Sequence, residues 1–327
     1  MTRELLAPAR SLAVPTVGVE EEFMLVWPDG NAASVAPQLL GWLPGGVRVR
    51  AGMAPYRVES ATGHGAELAD VGHSLSVARR VLAESAADLG ARLLAVGTPP
   101  FGAPGNAVTG ACHVTVGLPD ADLRPRVLER VRPWSAALLA LTGNSPLWRG
   151  RDTGWSSHRF ALGRRRPAPV PASVPAPRRT ADAGNLEIRF ADSALSVPDA
   201  MLLAGLCRAL VATAIDDERA GRPFPEISDR VLLAAARAAA RHGMEASVVS
   251  PGRGGPASAR TVLDELMTAV APALEQFCDA DRVDDLMADR MRRGSGAERQ
   301  LALWELGRPE TFVQALANLS AGVGPRR

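Results

Sequence analysis

Residues Thr16 to Val26 read as one β-strand, with β-branched and aromatic side chains around three consecutive glutamates, Glu20, Glu21 and Glu22. No other segment limits the fold as strongly. Side chains on a strand alternate between faces, so Glu20 and Glu22 point one way, and Val19, Glu21 and Phe23 the other. Like charges on one sheet face repel each other unless a cation lies between them. Hard divalent ions take oxygen ligands, so two carboxylates on a rigid strand form half of a Mg²⁺ site. A solvated edge strand could carry the same residues. The apolar flanks argue instead for partial burial, where unpaired carboxylates are costly.

Three later segments carry complementary chemistry. Arg57 to Thr62 places Glu59 on a short strand, and Cys112 to Gly117 places His113 on a face shared with Thr115. Leu186 to Phe190 places Glu187 and Arg189 on one face, opposite Leu186, Ile188 and Phe190. Each has a plain structural explanation: a lone strand histidine is usually a core residue, and Glu-x-Arg a surface pair. Together they supply carboxylates, an imidazole and a guanidinium, an inventory suited to Mg²⁺-bound nucleotide with an arginine on the transferring phosphate.

The rest of the chain sets the architecture. Further strands are expected at Arg48 to Arg50, Tyr56 to Ala61 and Leu93 to Gly97. An amphipathic helix is expected over Ala66 to Leu89, with Leu68, Val71, Leu75, Ala78, Leu82, Ala86 and Leu89 on its apolar face. Another is expected over Leu123 to Thr142, ending at Gly143-Asn144-Ser145-Pro146. Arg164 to Thr180 is Pro-rich and reads as a loop. Ser196 and Asp199 form a capping-box pattern. Beyond them the chain reads as helix over Asp199–Asp217, Ser228–His242, Ala257–Cys278, Ala280–Arg292 and Glu298–Ser320. Strands first and helices later predict an α+β fold with an antiparallel sheet, rather than a doubly wound one, with a helical C-terminal half. The expectation is a single catalytic domain over residues 1–327.

Composition removes several functions. All 37 cationic residues are arginine. A Walker-A loop, a protein kinase and a Schiff-base enzyme each need a lysine, so none can be built here. A net charge of +2 gives little support to nucleic-acid binding, and Arg164 to Arg166 read as a solvated loop. Cys112, Cys207 and Cys278 match neither a disulfide framework nor a zinc pattern. With no apolar leader and no membrane-length apolar run, the expected location is the cytoplasm.

The ordered motifs resemble the glutamate–cysteine ligase type 2 family, the carboxylate–amine ligases. Thr16 to Phe23 is similar to the family's opening signature, and Val58 to Gly63 to its second acidic motif. Gly97-Thr98-Pro99 follows. His113 to Asp120 resembles the family's His-Val-His-Val-Gly-x-Pro-Asp, with Thr115 in place of the second histidine. Leu141 to Arg159, Leu186 to Asp192 and Gly296 to Gln300 continue the match, so it covers nearly the whole chain. The resemblance implies a glutamine-synthetase-like antiparallel sheet cradle backed by helices. It also implies amide formation driven by ATP through an acyl phosphate, with glutamate and cysteine as the default substrates. Carried over, Glu20, Glu22, Glu59, His113 and Glu187 would be Mg²⁺ ligands, and Glu59 and Arg189 catalytic. Arg151, Arg159 and Arg189 would contact nucleotide or substrate. Asn144 and Ser145 are either pocket residues or a helix terminator. The expected partners are ATP, Mg²⁺ and small amino-acid substrates, with a homodimer at family level. Two segments look shortened, Phe101 to Gly110 and Arg164 to Asn185. With Thr115, they point towards a changed acid or amine; a nucleotide-binding homologue without turnover is the remaining alternative.

Overall fold

The computed structural model describes residues 15–104, 109–163 and 184–322, and the backbone of 178–179. Its first half builds a sheet from β1 (Val17–Val26), β2 (Arg48–Ala51), β3 (Arg57–Ala61), β4 (Arg92–Leu94) and β5 (Cys112–Gly117). Between these strands lie α1 (Ala36–Trp42) and α2 (Leu68–Asp88). The chain continues through α3 (Arg124–Val131), α4 (Ser135–Thr142), the hairpin β6 (Leu147–Trp148) and β7 (Arg151–Asp152), and α5 (His158–Gly163). Two strands, β8 (Arg178–Arg179) and β9 (Asn185–Ile188), complete the sheet. The remainder comprises α6 (Val197–Arg219), α7 (Asp229–His242), the hairpin β10 (Ser247–Val249) and β11 (Pro256–Ser258), α8 (Ala259–Gln276), α9 (Ala280–Arg293), α10 (Gly296–Trp304) and α11 (Pro309–Ala321).

The main sheet is antiparallel, in the order β2-β3-β1-β5-β9-β8, with β4 paired to the far end of β1. Opposed residues in antiparallel pairs share a face. Register sets Glu22 opposite Glu59, Glu20 opposite His113, Thr115 opposite Glu187 and Arg50 opposite Glu59. One face is therefore polar. The other carries Val17, Val19, Phe23, Val58, Cys112, Val114, Leu186 and Ile188, all buried, with α2 and α6 packed on it. The apolar stripe of α2 meets this face as its spacing predicts; Leu89 alone is only partly buried.

Helix α6 is long and apolar enough to cross a membrane, but 78% of its apolar window is buried inside the protein. It is the core helix, touching α2, α3, α8 and α9. Its N-terminus is capped as the sequence suggests, the Asp199 carboxylate accepting the Ser196 N–H at 3.1 Å.

Several expected boundaries move. The helix expected over Leu123 to Thr142 is interrupted by a 3-10 turn at Arg132–Trp134, because Pro133 has no N–H to continue the ladder. Glu298 to Ser320 is two helices rather than one, parted at Gly307, whose φ of 77° no helix contains, just before Pro309. The strand at Leu93 is shorter than expected, and the hairpin β10–β11 interrupts the helical half. Of the expected loop from Arg164, Arg178 and Arg179 form an edge strand on β9; residues 164–177 and 180 lie outside the described residues.

Candidate active site

The polar face gathers all five acidic and imidazole residues singled out in the sequence. Glu20, His113 and Glu187 each offer one ligand atom, and these atoms all lie within 4.8 Å of one another. His113 Nδ1 is 3.3 Å from the Glu20 carboxylate and 3.8 Å from that of Glu187. That convergence follows from register: three neighbouring strands put these residues side by side. Glu22 and Glu59 share the face but are engaged elsewhere. Arg57 pairs with Glu22 at 2.7 Å, and Arg50 Nε with Glu59 at 2.8 Å. A second nitrogen of Arg50 bonds Glu20. Arg189 Nη1 donates to both oxygens of Glu187, at 3.0 and 3.1 Å.

Three arginines thus neutralise a face that would otherwise repel itself. The hydrogen bond with His113 holds Glu20 below the usual carboxylate range, with the charges of Arg50, His113 and Arg189 assisting and burial opposing. Arg50 and Arg57 were not among the expected site residues. The alternation rule that found the glutamates would have found them, since Arg48-Val49-Arg50 and Arg57-Val58-Glu59 alternate in the same sense.

Beside the cradle, Asp192 organises a second cluster. It is fully buried and accepts from the Asn144 N–H at 2.9 Å, the Ser145 hydroxyl at 2.6 Å and the Ser157 hydroxyl at 2.8 Å. Burial raises its pKa, and the Arg159 charge and these donors oppose that rise. Arg159 lies 4.0 Å from Asp192 and donates to the carbonyls of Phe190 and Arg189, at 3.0 and 3.2 Å. It therefore fixes the backbone that presents Arg189. Burial lowers the pKa of Arg159, against the pull of Asp192 and Glu22.

Asn144 and Ser145 do end a helix, and they also lock the segment after it onto the sheet. Asn144 Nδ2 donates to Ala95 O at 2.9 Å and to Ser193 O at 2.7 Å. From α10, the Gln300 amide donates to Asn144 O and Oδ1, at 2.8 and 2.6 Å. A Cβ at Gly97 would lie 2.8 Å from the Asp192 carboxyl carbon, and one at Gly296 would lie 2.3 Å from Asn144 Oδ1. Both glycines of the sequence motifs are therefore required by close approach. Arg151 is placed differently. It is exposed on β7, after a two-residue turn in which Arg149 and Gly150 both have positive φ. Among the described residues, no hydrogen bond or ion pair ties it to the cradle.

A family model described as glutamate-cysteine ligase family 2 matches residues 99–175 and 171–311. A protein of Saccharopolyspora erythraea, provisionally named glutamate–cysteine ligase 2-1, is 36% identical over 87% of this chain and 89% of its own. The chain belongs to glutamate-cysteine ligase family 2. A second family member, from Salinispora arenicola, is 34% identical over 99% of both chains. That alignment runs to 378 residues, so the relative carries stretches that this 327-residue chain lacks. Among solved structures, the fold matches a glutamate–cysteine ligase of Francisella tularensis in complex with AMP, with a TM-score of 0.68 at 10% identity. The match covers 94% of this chain and 88% of that one. It also matches a bifunctional glutathione synthetase of Pasteurella multocida, with a TM-score of 0.60 at 14% identity, over 94% of this chain and 51% of that one. This family member has the expected fold class, and it is a ligase of the ATP-dependent carbon–nitrogen type.

Proposed function

We propose that this ligase joins an amino-acid carboxylate to an amine through an acyl phosphate on the polar face of the sheet, with Mg²⁺ as the resident cation. The observation that carries this reading is the convergence of Glu20, His113 and Glu187 on one point. Two carboxylates on rigid strands suit a hard divalent ion whose remaining positions go to water and phosphate oxygens, and the imidazole adds one nitrogen donor beside them. When bound, Mg²⁺ supplies charge neutralisation of the triphosphate.

The chain's own residues supply the rest. Arg189, half-exposed and held next to the cation position by Glu187, stabilises charge that develops on the transferring phosphoryl group. Arg159 keeps the carbonyls of residues 189 and 190 in place and so orients Arg189. Glu22 and Glu59, screened by Arg57 and Arg50, extend the cradle along β1 and β3 and are available to further cations on nucleotide binding. The substrate carboxylate attacks the γ-phosphorus and ADP leaves. The amine then attacks the acyl carbon, phosphate leaves, and the amine loses a proton.

Glutamate and cysteine are the family's default substrates. A different acid or amine is favoured by Thr115. It stands partly buried opposite Glu187 where the family motif has histidine, and it can neither titrate near neutrality nor ligate Mg²⁺ well. The test is ADP and phosphate release from ATP and Mg²⁺ across a panel of amino acids. Release with glutamate and cysteine alone supports the default, and release with another pair supports the changed substrate. Nucleotide binding without release in any pair would sink both.

A further inference from the structure

The geometry points to a second anion site, lined by none of the cradle residues, that binds a small phosphate-bearing molecule between α8, α9 and α10. A cavity of about 350 Å³ opens there, and five arginines line it: Arg260 from α8, Arg290, Arg292 and Arg293 from α9, and Arg299 from α10. Glu298 is the one carboxylate among the lining residues. Its oxygen is already engaged, accepting the Ser295 N–H at 2.5 Å in the cap of α10.

Cations in the last turn of a helix are favoured by its carbonyl end, which accounts for the three on α9. It does not account for Arg260 and Arg299, which come from other helices and face the same space. Nor do the neighbouring acids use up the donors. Asp289 takes Arg292 at 3.2 Å and Arg293 Nε at 2.6 Å, and Glu245 takes Arg260 at 3.5 Å. Asp199 takes one nitrogen of Arg299. Arg299 Nε and Nη1 are buried and, among the described residues, have no acceptor. Arg290 is 3% exposed, and its hydrogen-bond partner is a carbonyl, Leu141 O, at 2.6 Å. Burial, with Arg299 and Arg293 adding to it against Asp199 and Glu298, pushes Arg290 down to about 10.

A single carboxylate satisfies one guanidinium fork, whereas five forks converging from three helices match the many oxygens of a phosphate chain. Met244, Met291 and Ala302 add an apolar wall, so the site accepts an organic group attached to that phosphate.

Calorimetric titration with inorganic pyrophosphate, in chelator and without divalent cation, tests this. The expected result is one saturable site, weakened at least tenfold in Arg292→Gln/Arg293→Gln and in the exposed single variant Arg260→Gln, and unchanged in Arg189→Gln. Unchanged thermal unfolding of the variants separates loss of binding from loss of fold. A second arm uses AMP. Displacement of pyrophosphate by AMP, with the same loss in the variants, makes the ligand a nucleotide; no displacement makes it an inorganic phosphate chain. No saturable binding of pyrophosphate, or binding that survives the double variant and disappears in Arg189→Gln, overturns the proposal.

Discussion

Glu20 and Glu21 are chain neighbours of the same chemical type, yet the sheet gives them opposite roles. Glu21 points into the core, and both it and its partner Arg79 have no exposed side-chain surface. All five guanidinium N–H donors of Arg79 are used: two on Glu21, and one each on Ala194 O, Leu195 O and Ser320 O. Glu20 points to the polar face, with its side chain 23% exposed, and its arginine partner, Arg50, is 65% exposed on an edge strand. A saturated, buried pair has no capacity left for a ligand, so it contributes structure. A partly exposed carboxylate with a displaceable partner can exchange that partner for a cation, the role proposed for Glu20. One residue of strand parity separates the two outcomes.

The contrast is broken most severely at the buried pair. Arg79→Met leaves an uncompensated carboxylate in the core, and should cost about 3–5 kcal/mol in denaturant unfolding. Adding Glu21→Leu should restore most of that loss. If the single variant unfolds at the wild-type midpoint, the pair is not structural.

Glu20→Gln should do the reverse. We expect turnover to fall about 10²-fold, equivalent to about 2.7 kcal/mol in barrier, while the unfolding midpoint stays near wild type. Turnover that survives would remove Glu20 from the chemistry.

Arg50→Gln should have the smallest effect. An exposed pair of this kind contributes about 0–1 kcal/mol to stability. Removing a cation that competes for Glu20 and Glu59 should tighten Mn²⁺ binding about fivefold, the equivalent of roughly 1 kcal/mol across about 4 Å of water. Weaker Mn²⁺ binding would mean that Arg50 holds the carboxylates in place rather than competing for them.

The polar face was legible in the sequence because strand alternation is strict and local: Glu20, Glu22, Glu59, His113 and Glu187 all fall where parity puts them. The division of those five into a converging trio, Glu20, His113 and Glu187, and two carboxylates set apart from it was not legible. It depends on Arg50 and Arg57 arriving opposite them, which register between strands decides. Asp192 was visible as part of a motif, but its role was not. A buried aspartate acquires meaning from its donors, and here these come from residues 144, 145 and 157, far away in sequence. Helix boundaries failed at Pro133 and Gly307, where one backbone feature overrides an apolar pattern that runs straight through it.

The Arg79 side chain also constrains the order in which this molecule can be made. Its carbonyl partner at Ser320 lies 241 residues further along the chain, and the Ser320 hydroxyl accepts the Ala95 N–H at 2.9 Å beside β4. Ribosomes add about 5–20 residues per second, so Arg79 waits roughly ten seconds to a minute for its last acceptor. Until then the guanidinium lacks that acceptor, at the back of the strand that carries Glu20 and Glu22. The hydrogen bonds that tie Ser320 to Arg79 and Ala95 therefore close only after every strand of the main sheet has been synthesised.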